Sequence, residues 1–271
     1  MTNELLKQLQ KTELEILSVI DSFCRNHHIM YSLYAGTAIG AVRHHGFIPW
    51  DDDIDICMTR NQLLRFCKEW EENPIDGYYL ETVMTDPYCG TCHAKVRKND
   101  TVLLSEGEIE SEGHHGIWVD IFPLDKANPS DPKSTIKIAR KLILLSRANV
   151  HMLNDGCKKK IVRSMVRTLY PEKKRHSEIL KCIKQLSIND STLTSGYVWK
   201  SLSATYAFKY SFPPSLPDKT TTIDFEDIEF QIYSDYDEML RIIYGDYMKL
   251  PPESERVCKH SPVKVRFSEG D

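Results

Sequence analysis

Apolar residues recur every three or four positions between residues 4 and 24, where Leu5, Leu6, Leu9, Leu14, Ile16, Leu17 and Ile20 predict an amphipathic helix. A short apolar stretch follows at 29–34. Residues 36–45 read as a second, short helix leading into a loop at 46–50 that carries Pro49. From 53 to 58 the period falls to two, with Asp53 and Asp55 alternating with Ile54 and Ile56, the mark of a strand with one special face. Helical spacing returns at 61–70, where Leu64, Phe66 and Cys67 are available for burial. Strands are predicted at 78–83, 93–97, 102–104 and 117–122, and Pro123 is expected to close the last because proline cannot donate to a ladder. Residues 132–186 carry helical patterns with no strand signal. A proline-rich connector at 211–219, a late strand at 225–233 and a helix at 236–244 ended by Gly245 complete the outline.

This order predicts a mixed α/β (α+β) fold in four parts. They are an N-terminal helix (1–28), a core (29–131), a helical insert (132–212) and a C-terminal segment (213–271) packing back on the core. No internal repeat or low-complexity tract interrupts it.

Charge changes the picture of the insert. Residues 133–184 hold 15 Lys and Arg against three acids, a local excess of 12 positive charges, while the remainder carries −16 and the whole chain −4. Such segregation predicts a face that meets something anionic, with solvated helix faces as the alternative. The longest aliphatic run, Leu142-Ile143-Leu144-Leu145, is far short of the roughly 20 residues of a membrane span. The start of the chain has neither a basic nor an apolar leader region, and its eight cysteines are expected to be reduced thiols, so a cytoplasmic protein is expected. Cys89-Gly-Thr-Cys92-His93 matches a haem-attachment pattern in form, but with no export signal and no second zinc-like pair it reads as two thiols at a turn. No glycine-rich P-loop or dinucleotide fingerprint occurs.

The densest chemical signal is Gly36-Thr37 followed by Asp51-Asp52-Asp53-Ile54-Asp55. Two carboxylates projecting the same way repel unless a cation lies between them, and hard ions such as Mg²⁺ take oxygen ligands of this kind together with phosphate. Gly36 permits a close backbone approach, and Thr37 offers an amide and a hydroxyl at a helix start, where phosphate is favoured. The alternative is an acidic loop facing solvent. Lys95 and Arg97 share one strand face as phosphate candidates or as a solvated edge. Trp50, Trp118, Tyr34 and Tyr31 are aromatics that either pack in the core or offer a wall to a quaternary ammonium.

The run from Tyr34 to Ile56 (YAGTAIGAVRHHGFIPWDDDIDI) resembles the signature of the LicD family, a branch of the nucleotidyltransferase superfamily whose relatives include fukutin-related protein. The segments GIWVDIFPLD at 116–125 and YGDYMKLPPE at 244–253 fit the same family in the same order. The resemblance implies a nucleotidyltransferase-like core in which Gly36 and Thr37 form the Gly-Ser/Thr turn and Asp53 and Asp55 the metal pair. Asp120 corresponds to a third carboxylate that either binds a second metal or accepts the acceptor's proton. Arg43 falls where the family motif also has arginine, as a donor-phosphate contact.

The activity implied is Mg²⁺-dependent transfer of a phospho-alcohol, most often phosphocholine, from a CDP-activated donor such as CDP-choline to a hydroxyl of a glycan. Teichoic acid, capsule or lipopolysaccharide precursors, some of them lipid-linked, are the acceptors implied, with no role for nucleic acid. A nucleotidyltransferase using an NTP and a degenerate binding module are the alternatives. Amphipathic basic helices beside lipid-linked acceptors also predict peripheral contact with an anionic membrane, at its inner face, through 133–184.

Overall fold

The structure, a computed structural model, describes residues 1–109, 112–258 and 262–267. Parts of the expected C-terminal segment, 259–261 and 268–271, lie outside the described residues. Helix α1 (Asn3–Asn26) opens the chain, its first turn capped by the Thr2 hydroxyl, which accepts from the Leu5 N–H at 3.2 Å. Then come β1 (Ser32–Leu33), α2 (Ala35–His44), β2 (Asp55–Thr59), α3 (Arg60–Glu72), β3 (Tyr78–Glu81), β4 (Ala94–Lys98), β5 (Val102–Leu104) and β6 (Trp118–Ala127). The stretch expected to be a purely helical insert (132–212) supplies α4 (Pro132–Arg147), α5 (Cys157–Leu169) and α6 (Glu172–Thr192) but also the strand β7 (Val198–Ser201), and the return supplies β8 (Thr220–Phe225), β9 (Ile228–Tyr233), α7 (Tyr236–Tyr244) and β10 (Lys264–Arg266).

The central sheet runs β1-β2-β6-β4-β3, with β7 also on β6. Only β2 and β6 run parallel among these pairs, so the fold is mixed, as the pattern predicted. The apolar stripe of α1, from Leu9 through Ile16, Leu17 and Ile20, is buried against this sheet in the main core. A second core joins Leu142, Ile143 and Leu145 of α4 and Ile179, Ile183 and Leu186 of α6 to Val83, Cys89 and Cys92. Both thiols of the haem-like motif are therefore packing groups, and Cys92 Sγ lies 3.1 Å from Ser146 Oγ of α4.

Four boundaries differ from the sequence reading. Pro123 does not end β6, which runs on to Ala127. The Asp120 N–H donates toward β2, to Ile54 O at 3.0 Å, so by alternation the nitrogen of residue 123 faces the other edge. There β4 ends opposite Ile121 and β7 begins opposite Leu124, and no ladder needs the missing proton. The late strand at 225–233 is instead a hairpin of β8 and β9, turned at Glu226 with φ 55°. In α3 the buried positions are Leu63, Phe66 and Trp70, while Leu64 packs sideways against the second core. Strand β2 starts at Asp55, leaving Asp53 on the lead-in loop, because that loop docks on α1: Gln10 Nε2 donates to Asp51 O at 2.8 Å.

Beneath the sheet, Arg60 and Asp125 form a bidentate pair at 2.8 and 2.9 Å, with side chains only 4% and 0% exposed. Removing one member of such a pair strands a desolvated charge. Asp125→Ala is expected to cost about 3–5 kcal/mol, and a joint replacement of both residues by apolar side chains far less. Urea denaturation of the single and double variants checks the difference.

Candidate active site

Strand register builds the site. Across β2, β6, β4 and β3, residues Asp55, Asp120, Lys95 and Glu81 are direct cross-strand partners, so they form one transverse row on one face of the sheet. A parallel row holds Trp118, Arg97 and Tyr79. Asp53 lies off the end of β2 but keeps the alternation: it and Asp55 are half-buried, and Ile54 and Ile56 are buried.

Asp120 is the best-held carboxylate. Lys95 Nζ donates to its Oδ1 at 2.6 Å, His93 Nε2 lies 3.0 Å from the same oxygen, and Trp118 Nε1 donates to Oδ2 at 3.0 Å. Burial opposes its charge, yet Lys95 and then His93 hold the carboxyl well below the usual aspartate range. The opposite holds for Asp55. Burial and the charges of Asp53, Asp120 and Asp51 push it well above that range, with only Lys95 relieving it. The row thus starts with an overloaded carboxylate, carries its own cation at Lys95 and ends in Glu81, paired with Arg97.

The Asp55 end is where the oxygens gather. Asp51, Asp52 and Asp53 bring carboxylate oxygens within 4.8 Å of one another, the one such group among the described residues. These are hard oxygen donors of the kind that Mg²⁺ or Ca²⁺ takes, part of a shell that water or phosphate oxygens would complete, with Asp55 adjoining. The supporting structure comes from α2. The Thr37 hydroxyl accepts from the Asp55 N–H at 2.8 Å and so fixes where β2 begins. Gly36 lets the Asp51 carboxylate come close: a Cβ there would stand 2.5 Å from Asp51 Oδ2 and push that carboxylate out of its place in the acidic group. The β8–β9 turn holds the loop from outside, with Glu226 Oε1 accepting from the Phe47 N–H at 3.0 Å.

The other residues singled out from sequence fall into two groups. Trp118 and Lys95 belong to the Asp120 cluster, the ammonium 4.2 Å from the Trp118 ring centre. Arg97 is next to them but is engaged by Glu81 and, at 2.9 Å, by Gly116 O. Arg43 reaches back instead to the C-terminal segment, donating to Tyr247 O at 2.6 Å. Trp50 sits between His44, with ring centres 6.4 Å apart, and Arg256, 5.8 Å above its ring. Tyr31 and Tyr34 are core residues, Tyr31 donating to Asp21 Oδ1 at 2.7 Å.

Several neighbours escaped the sequence reading. His93 flanks Asp120 and stacks near Phe122, with ring centres 4.6 Å apart. Burial and Asp55 raise the Tyr244 phenol. The hydroxyl end of Tyr206 dips toward the same charges, burial and Asp55 raising it, although the residue as a whole is 71% exposed.

Glu13 is the most informative of these neighbours. It lies four residues after Leu9 in the apolar stripe of α1, is 1% exposed, and has Oε2 without a hydrogen-bond partner among the described residues. Burial first, then Asp53, Asp52 and Asp51, push its carboxyl well above the ordinary range. A charged residue inside an apolar stripe was the available signal. A raised folded pKa means that Glu13 costs nothing below its unfolded value, about 4.3, and destabilises increasingly as pH rises through the folded one. Glu13→Gln in chelator is therefore expected to melt higher than the wild type, by a margin that widens from pH 4 to pH 8; a constant margin would refute the buried charge.

Residues 28–154 match the family model for the LicD/FKTN/FKRP nucleotidyltransferase domain. The chain is 31% identical over 264 residues to the lipopolysaccharide cholinephosphotransferase LicD of Haemophilus influenzae, covering 94% of this chain and 96% of that one. Shorter stretches match uncharacterized proteins of Rickettsia typhi (39% over 85 residues; 31% of this chain, 25% of the other) and Rickettsia prowazekii (45% over 51 residues; 19% and 16%). The Haemophilus likeness runs through the carboxylate loop, the sheet, the insert and the return alike, and a likeness of that extent makes this chain a member of the LicD family.

Proposed function

We propose that the protein transfers phosphocholine from CDP-choline to a hydroxyl of lipopolysaccharide or a related cell-surface glycan, with Mg²⁺ held at the Asp51–Asp55 end of the row. The observation that carries this reading is the intact row of Asp55, Asp120 and Lys95 beside the Asp51–Asp53 group, in a chain alike from end to end to a cholinephosphotransferase. Bound there by Asp53, Asp55 and their neighbours, the cation would neutralise charge on the donor pyrophosphate and on the leaving nucleotide. The chain's own residues do the rest. Thr37 and Gly36 fix the carboxylate loop against the strand, and Trp118 and Lys95 fix Asp120. The acceptor oxygen attacks the distal phosphorus, the bond to the CMP phosphate breaks, and the acceptor's proton leaves to water while the ionised Asp120 orients the hydroxyl.

Doubly labelled CDP-choline, marked in the choline and in the cytidine, tests the reading with Mg²⁺ and a lipopolysaccharide acceptor. Choline label in the glycan with cytidine label in CMP is expected; nucleotide label in the product would make the protein a nucleotidyltransferase. Teichoic acid and capsule precursors are the acceptors to compare.

We also place the reaction at the inner face of a membrane. On α5, Ile161, Met165 and Leu169 succeed one another every four residues and are each more than half exposed, while only Val166 turns in. Lys158, Lys159 and Lys160 precede them, and an apolar stripe edged by lysines suits an anionic bilayer surface. No helix among the described residues is long and apolar enough to cross a membrane. Co-sedimentation with phosphatidylglycerol vesicles is expected at low salt and is expected to be lost in Ile161→Asp/Met165→Asp. Undiminished binding by that variant would remove α5 from the interface.

A further inference from the structure

The row of charged residues does not end at the sheet edge. Beyond Lys95 it opens into a cavity of about 620 Å³, within the roughly 300–1,000 Å³ range that holds small-molecule groups. Its floor is the Lys95 end of the row with the Glu81–Arg97 pair. Its far wall is the insert: Arg147 at the end of α4 and Lys158, Lys159 and Arg163 at the start of α5. Tyr88, Leu144, Val150 and Val162 add apolar surface, and the further carboxylates of the lining are engaged by neighbours: Asp86 by the Tyr79 hydroxyl at 2.9 Å, Glu108 by the Ser105 N–H at 2.7 Å and Glu112 by His151 at 3.0 Å.

The cations of this wall are not equivalent. Arg163 is spent on structure, pairing with Asp155 at 2.9 Å and donating to Val150 O at 3.0 Å. Arg147, Lys158 and Lys159 have no carboxylate within ion-pair distance among the described residues, and all three are exposed. Four of the insert's 15 cations thus line one concave surface a single side chain away from Asp120. Lys95 is that side chain: it lines the cavity and donates to Asp120.

We propose that this cavity is the acceptor subsite and that it takes an anionic sugar, phosphorylated or carboxylated, next to the sugar whose hydroxyl is modified. The assignment rests on the transferase reading above and adds to it which side of the row each substrate occupies. A donor pyrophosphate belongs at the Asp51–Asp55 end, where carboxylates repel any anion not bridged by a metal. At the opposite end the cations without a carboxylate partner, Arg147, Lys158 and Lys159, can hold an anion with no metal between, and apolar walls beside them suit the faces of a sugar ring. An acceptor seated there meets Asp120 from the side away from the donor, as in-line displacement needs.

The test reads binding rather than turnover. Full-length protein is titrated calorimetrically with glucose 6-phosphate, glucuronate and glucose, and separately with CDP-choline and Mg²⁺. The anionic sugars are expected to bind more tightly than glucose and to weaken with salt, and their ranking tells phosphate from carboxylate as the natural group. Arg147→Glu/Lys159→Glu is expected to weaken the anionic sugars by about tenfold or more, the worth of a charge-assisted contact, and to leave CDP-choline unchanged. Equal binding of glucose and the anionic sugars would overturn the proposal, as would a variant that loses CDP-choline instead. Failure of choline transfer in the labelling experiment would leave these binding results standing, so the two readings fail separately.

Discussion

Asp53→Asn and Asp55→Asn are each expected to abolish transfer while the protein stays folded. Either change removes negative charge from the group of oxygens that would bind the cation. A cation's hold on developing phosphate charge is worth several kcal/mol, roughly a thousandfold or more in kcat/KM. The stability effect runs the other way. Asp55 is buried among Asp53, Asp120 and Asp51, so in the metal-free protein its ionised form is disfavoured and its pKa is raised. Its contribution to stability is therefore fully present below the ordinary aspartate range and lost as pH rises through the raised value. Asp55→Asn should hold or raise the melting temperature in chelator at neutral pH, while magnesium, which should raise that of the wild type, should do little for the variant. Near-normal turnover in either variant would end the metal assignment.

Asp120→Asn is expected to lower kcat by about 10²-fold through loss of the charge that orients the attacking hydroxyl, with little change in the affinity for CDP-choline. A large loss of donor affinity with near-normal kcat would make Asp120 a ligand on the donor side only. Stability has to be followed beside the kinetics, because Lys95, 9% exposed, loses its carboxylate partner. Breaking a buried pair costs about 3–5 kcal/mol, so the assay belongs well below the melting temperature. The pH sign is opposite to that of Asp55. With its carboxyl held low by Lys95 and His93, Asp120 contributes stability above the ordinary aspartate range and loses it as pH falls through the depressed value.

Much of this was legible because it is local. The period-two alternation from Asp53 to Ile56, the helix at α7 and the strand-free stretch 132–186 follow from spacing alone, and the family motifs cover the carboxylate loop and β6. What was not legible depends on partners distant in sequence. Pro123 is tolerated only because β6 changes neighbours there, which its own segment cannot reveal. The hairpin turn at Glu226 lacks the glycine or asparagine that usually marks one, and its left-handed residue is instead held by a bond from its own N–H to His45 O at 2.9 Å. Lys95 and Arg97 looked alike on one strand. The register gives one to Asp120 and the other to Glu81. The cavity draws on three segments that sequence separates, so charge segregation within the insert gave no hint of where a concave surface would lie.

The strand pairing also sets a timetable. The Tyr233 N–H donates to the Ser32 hydroxyl across 201 residues of chain, and β7, the last neighbour of β6, is reached only at Val198. During synthesis at about 5–20 residues per second, β1 and β2 leave the ribosome roughly 10–40 s before the hairpin that buries them. Through that interval the nascent chain carries its most acidic loop and an unfinished sheet edge together. The acidic loop thus sets mutual repulsion just where an open edge invites pairing with another chain.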